Sequence, residues 1–177
     1  MKKKTNFNWL IKVVLISVAA SVAFTLASTQ ILGRSGYIVA FIALAVFIAA
    51  GVLFDVIGVA VTAATEAPFH SMAAHRERGA AQSLRLIRNA DKVSSICSDV
   101  VGDVTGIVSG TTAALIAARL IEGTGAGNLL LPLLISGAVT GLTVGGKAVG
   151  KTMAINNPTR TVLRVGRLIS FLHPKSR

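Results

Sequence analysis

Hydrophobic positions fall in four long runs. Trp9–Leu32 holds one charge, Lys12, and Tyr37–Ala64 holds one, Asp55. Val93–Ile121 and Leu129–Ala154 follow. A bilayer core about 30 Å thick takes about 20 residues of helix, so each run is long enough to span. The first run is long for the core of a signal peptide, which favours a retained helix. Gly33-Arg34-Ser35-Gly36 reads as a tight turn and Glu122–Asn128 as a short polar loop.

Between the second and third runs the pattern changes. Phe69, Met72, Ala73, Ala80, Leu84 and Ile87 recur at steps of three, four and seven. Arg76, Arg78, Arg85, Arg88 and Lys92 are interleaved with them. This predicts an amphipathic helix or helical hairpin at the membrane surface. Pro68 suits a first helical turn after Glu66, and Asn89-Ala90-Asp91 a break with Asp91 as the next N-cap. After the fourth run, Asn157 and Pro158 open a last helix. Val162, Val165, Ile169 and Leu172 form its apolar stripe, and Arg160, Arg164 and Arg167 line another face. That is a basic amphipathic helix suited to an anionic lipid surface.

The expected fold class is therefore an all-α integral membrane protein. It has four transmembrane helices, a cytoplasmic-side amphipathic helical segment over 65–92 and a C-terminal amphipathic helix. Composition agrees: of 177 residues, 53% are hydrophobic and 14% charged, with mean hydropathy +0.70. A soluble domain cannot hide that much apolar surface. The net charge of +11 comes from clusters beside the apolar runs. Lys2, Lys3, Lys4 and Lys12, five basic residues in 65–92 and six from Lys151 onward contrast with the two other loops, which hold only Arg34, with Arg119 close by. The positive-inside rule then puts both termini and 65–92 in the cytoplasm of a multi-pass plasma or inner membrane protein. One Trp, one Tyr and no basic–aromatic interleaving argue against nucleic acid. The lone Cys97 excludes an intramolecular disulfide.

Candidate chemistry concentrates in Asp91–Gly110. Asp99 and Asp103 stand four residues apart in an otherwise apolar helix, where ionisable groups mark a functional site or a paired, protein-facing position, unless the span starts later and leaves both at the water interface. Gly102, Gly106 and Gly110 share that four-residue spacing, as do Gly137, Gly141 and Gly145 in the fourth run. Such spacing lets helix backbones approach closely, so the third and fourth spans are expected to pack on each other or across a homodimer. Gly145–Thr152 satisfies GxxxxGKT, yet it ends an apolar helix with no preceding βα alternation, and no nucleotide is expected there. His70, Ser71 and His75 form no recognisable triad, and no HExxH or CxxC is present. No catalytic residue is assigned, and the chain is not read as an enzyme.

Three segments resemble the transmembrane domain of the CNNM/CorC (CorB) family of magnesium- and cobalt-transport proteins. Thr65-Glu66-Ala67-Pro68-Phe69 looks like that family's Ser-Glu-Thr-Ala-Leu turn. Ser94-Ser95-Ile96 with Asp99 and Asp103 looks like its segment with two asparagines four apart. Gly146–Ala154 with Asn157-Pro158-Thr159-Arg160 resembles its closing motif, Gly-Glu-Ile-x-Pro-Lys-x-x-Ala followed by Asn-Pro-Glu-Arg. The resemblance covers roughly 50–170. It implies a three-helix bundle over residues 37–157 that dimerises and holds a dehydrated Mg2+ between helices. Residues 1–36 would then be a basic tail and an added helix, and 158–177 a basic amphipathic helix and tail. The family's asparagines stand here as Asp99 and Asp103, its glutamate as Lys147 and its proline as Gly150, and its cytosolic CBS pair has no counterpart. Two outcomes follow. Asp99 and Asp103 could supply oxygens to Mg2+, with Thr65 or Ser109 adding hydroxyls. Alternatively the Lys147 ammonium takes the cation's place and pairs with Asp99 or Asp103, with Glu66 nearby. The first predicts divalent cation transport or binding; the second predicts a non-transporting structural or regulatory membrane protein.

Overall fold

The computed structural model describes residues 7–34, 36–124 and 130–172. The basic tail Met1–Lys4, most of the polar loop before the fourth span and the last five residues lie outside the described residues. The elements are α1 (Phe7–Arg34), α2 (Tyr37–Ala63), α3 (Ala67–Ala74), α4 (Ala80–Arg88), α5 (Ala90–Ser94), α6 (Asp103–Thr124), α7 (Leu130–Asn156) and α8 (Pro158–Leu172). Between α5 and α6, Ser95–Gly102 continues the helix in π geometry. No strand occurs among the described residues. Ile11–Gln30, Tyr37–Ala63, Ala90–Ile121 and Pro132–Asn156 are long and apolar enough to cross a membrane. This is an all-α membrane architecture, since a helix satisfies its own backbone polar groups in lipid.

The chain divides into two compact units, residues 1–52 with 100–146 and residues 53–99 with 147–177. Charge divides with them. The first unit holds Lys12, Arg34, Asp103, Arg119 and Glu122 among the described residues, and all the other charges fall in the second.

In the first unit α6 is the hub. Val104, Thr105, Val108, Ser109, Thr112, Ala113, Ile116 and Ala117 are buried, a stripe at steps of three and four. One side of it meets α1, where the Ser28 and Thr112 hydroxyls share a buried hydrogen bond of 2.8 Å. The other side packs Ala113 and Ile116 against Ala40, Leu44 and Ile48 of α2, with Ile135 and Val139 of α7 at the edge. Gly51 sits where a Cβ would lie 2.5 Å from Thr105 Oγ1, so α2 and α6 touch through a missing side chain.

Of the two glycine ladders, Gly102 is buried and the other five positions face open space within the chain. Around Gly106, Gly110, Gly137, Gly141 and Gly145 an added Cβ would meet nothing within 4 Å among the described residues. Gly106 and Gly110 lie about 200° round the helix from Val104 and Val108, at the margin of the buried stripe beside Ala113 and Ala117. Among the described residues the third span does not pack on the fourth through these five glycines, and the alternative of packing across a homodimer stays open.

In the second unit the amphipathic segment is a helical hairpin, α3 and α4, packed against α8. Phe69 is fully buried among Ala60, Val61, Ala64, Ala154, Val162 and Leu163, with Met72, Leu84 and Ile87 at the margin. The apolar positions expected of 65–92 thus face protein. Of the stripe expected on α8, Val162 is buried in this core and Val165 and Ile169 are half-buried, while the side chain of Leu172 lies outside the described residues. Gly79, at φ 88°, begins α4 where a Cβ would fall 2.5 Å from the backbone nitrogen of Arg167. The Ser83 hydroxyl donates to the Val162 carbonyl at 3.2 Å, and Arg167 binds Glu77 at 2.7 Å. Pro68 stands in the first turn of α3 after Glu66. The cap of α5 is Asn89 rather than Asp91, which lies in that helix's first turn. The Asn89 amide is drawn back to the Arg85 carbonyl at 2.9 Å, so the break comes before Asp91.

Gly51→Ala should lower stability by about 1–3 kcal/mol through overpacking, and Thr105→Ala should restore much of it. Gly79→Ala should cost at least as much, because φ is strained as well. Gly141→Ala, in open space, should leave the melting temperature of the detergent-purified protein unchanged.

Candidate functional site: a buried carboxylate between two lysines

Asp55 is the only charge on α2, and its side chain is 4% exposed. Lys147 and Lys151, one turn apart on α7, both reach it. Each Nζ lies 3.5 Å from Asp55 Oδ2. The Lys147 side chain is 21% exposed and that of Lys151 46%. Placing three charges within spans is costly unless opposite signs meet. Lys147 supplies the close, shielded ammonium. Lys151 adds a second and keeps part of its stem and head exposed, as a long flexible lysine can. The cluster carries a net charge of +1 if all three groups are ionised.

One turn along α2 from Asp55, Gly58 takes the π-helical stretch at close quarters. A Cβ there would lie 2.5 Å from Ser98 Oγ and 3.5 Å from Cys97 Cβ. Ser98 Oγ is buried with no hydrogen-bond partner among the described residues. An unsatisfied buried hydroxyl costs about 1–3 kcal/mol, and π turns inside α-helices recur at functional positions.

The other expected site residues are placed differently. Asp99 and Asp103 are exposed and make no hydrogen bond or ion pair among the described residues. The lysine expected to neutralise them is on Asp55 instead. The third span is 32 residues long, about 48 Å as a helix. The 22 residues of α6 from Asp103 onward already suffice for a core of about 30 Å. The apolar core therefore does not have to enclose either aspartate. Thr65 is exposed. Glu66 is engaged at the hairpin, its Oε2 3.1 Å from His70 Nε2 and 3.4 Å from Arg88 Nε. Ser109 is buried and donates to the Thr105 carbonyl at 2.7 Å. No three His, Cys, Asp or Glu side chains converge on a common point among the described residues. Residues 145–152, the GxxxxGKT match, are helical throughout, with Thr152 Oγ1 bonded to the Ala148 carbonyl at 3.0 Å.

The Asp55 pairing left a trace in the sequence. Two lysines at i and i+4 within an apolar run need an acid on a facing helix, and Asp55 is the only acid on α2. No protein family, no curated protein and no solved structure matches the chain.

Lys147→Met or Lys151→Met alone leaves one ammonium on Asp55 and should destabilise mildly. Together they should cost more than the sum, on the order of 3 kcal/mol for an unpaired buried carboxylate. Adding Asp55→Leu to the double variant should recover most of the loss. Additive single effects in detergent melts or steric-trapping titrations would remove the shared-carboxylate account.

Proposed function

We propose that this protein is a non-transporting structural or regulatory membrane protein in which lysine ammonium groups take the place of a bound cation. The observation that carries the reading is the Lys147 Nζ at 3.5 Å from the buried Asp55 carboxylate. In the closing motif that resembles the CNNM/CorC transmembrane domain, Lys147 stands at the family's glutamate. An ammonium tethered there cannot leave, so the carboxylate it neutralises is closed to a diffusible ion. The partner acid is Asp55 rather than Asp99 or Asp103, which leaves the electrostatic logic intact and changes the helix that supplies it. With such a cluster, purified wild-type protein should show no magnesium- or cobalt-specific rise in melting temperature at millimolar salt. A ligand at ten times its Kd adds about 1.4 kcal/mol, which a thermal shift resolves. A saturable rise with magnesium, lost in Asp99→Ala or Asp103→Ala, would instead establish the transport reading. That second reading is favoured by the free state of those two carboxylates beside a π-helical turn.

A homodimer belongs to the same proposal. The open glycine faces of α6 and α7 are suited to close approach by a second copy's helix. Gly137→Leu with Gly141→Leu should weaken cross-linked dimer formation in membranes without lowering monomer stability. Unchanged cross-linking would place the contact elsewhere.

A further inference from the structure

The packing of α8 uses one face of that helix and leaves another outside. Val162, Leu163 and Gly166 are buried. Arg160, Arg164, Leu168 and Phe171, at successive steps of four, four and three, share the opposite face and are exposed. Leu168 is 67% and Phe171 86% exposed, unusual for large apolar side chains on a helix rich in arginine. Arg160 and Arg164 make no ion pair or hydrogen bond among the described residues, in contrast to Arg167, which Glu77 holds. A single residue, Asn157, separates α8 from α7, whose apolar span runs to Asn156. The start of α8 is therefore tied within one residue of a membrane-crossing segment.

We propose that the Arg160–Arg164–Leu168–Phe171 face of α8 is an anchor for anionic phospholipid headgroups. Leu168 and Phe171 enter the interface between headgroups and acyl chains. The guanidinium groups of Arg160 and Arg164 bind lipid phosphates, to which a planar fork of N–H donors is well matched. The covalent tether to α7 keeps this face at high effective concentration beside the bilayer, where a soluble partner has no such advantage. The face differs from that of Val162, which the unit's own core consumes.

The chain has one tryptophan, Trp9, so a reporter can be placed cleanly. Full-length protein carrying Trp9→Phe and Phe171→Trp would be reconstituted in phosphatidylcholine vesicles with and without phosphatidylglycerol. The expected result is blue-shifted emission, quenching by brominated lipid and protection from acrylamide in the anionic vesicles. Adding Arg160→Glu and Arg164→Glu, or raising the salt, should reverse these, each arginine changing the inserted-to-free ratio about fivefold. Both arginines are exposed and unpaired, so the variant's melting temperature should not move. Acrylamide access in both lipids would overturn the proposal. Insertion indifferent to lipid charge and to the arginines would overturn the headgroup role. Shielding that grows with protein density rather than with lipid charge would make the face a contact between copies.

Discussion

The Asp55 carboxylate is the demand around which the second unit is arranged. A charge that is almost fully withdrawn from solvent on an apolar helix has to be matched at contact distance. Lys147 and Lys151 match it from α7, and their spacing of one helical turn lets both address a single oxygen. That fixes the register of α7 on α2 in this part of the chain more tightly than apolar contact would. Interchangeable alkyl side chains tolerate sliding, whereas an ion pair in low dielectric does not. Beyond the pair, Ala60, Val61, Ala64 and Ala154 bring the same two helices into the core that also receives Phe69 and Val162. The hairpin and α8 complete a soluble-type core at the end of the spans, with the basic residues on its surface.

Glycine has two unrelated uses along this chain. At Gly51, Gly58, Gly79 and Gly166 the missing side chain is the contact, since another element occupies the space where a Cβ would be. At Gly106, Gly110, Gly137, Gly141 and Gly145 the missing side chain leaves open space. In lipid, where apolar burial drives helix association weakly, close backbone approach is a principal source of packing energy. The first group supplies it inside the chain. The second leaves smooth helix faces to lipid or to another copy.

Several features were legible from residue order because they depend on local periodicity. The four spans, the hairpin segment, the last amphipathic helix and the first-turn position of Pro68 all follow from apolar spacing and cap chemistry. The π-helical stretch was not legible, since Ser95–Gly102 carries no pattern that separates it from α-helix. The glycine ladders were legible only as smooth faces, since spacing does not say what lies opposite Gly106, Gly110, Gly137, Gly141 or Gly145. On α8 the arginines and the apolar stripe were both visible, yet which apolar residues remain outside depended on α4 and the rest of the core claiming Val162 first.

The amino-acid sequence by itself determined an all-helical membrane chain, its span boundaries to within a few residues and the clustering of its charge. Hydropathy and helical period are properties of neighbours in the chain, and lipid leaves backbone polar groups no partner but the helix. Which acid meets which base was decided only by tertiary structure. The sequence offered Asp99 or Asp103 as partners of Lys147, with Glu66 nearby, and did not single out Asp55. Helix packing put Asp55 at 3.5 Å and left Asp99 and Asp103 exposed. A pair in low dielectric depends on angstrom-scale distance and on the orientation of two helices, and neither quantity is written in the spacing of residues along either one.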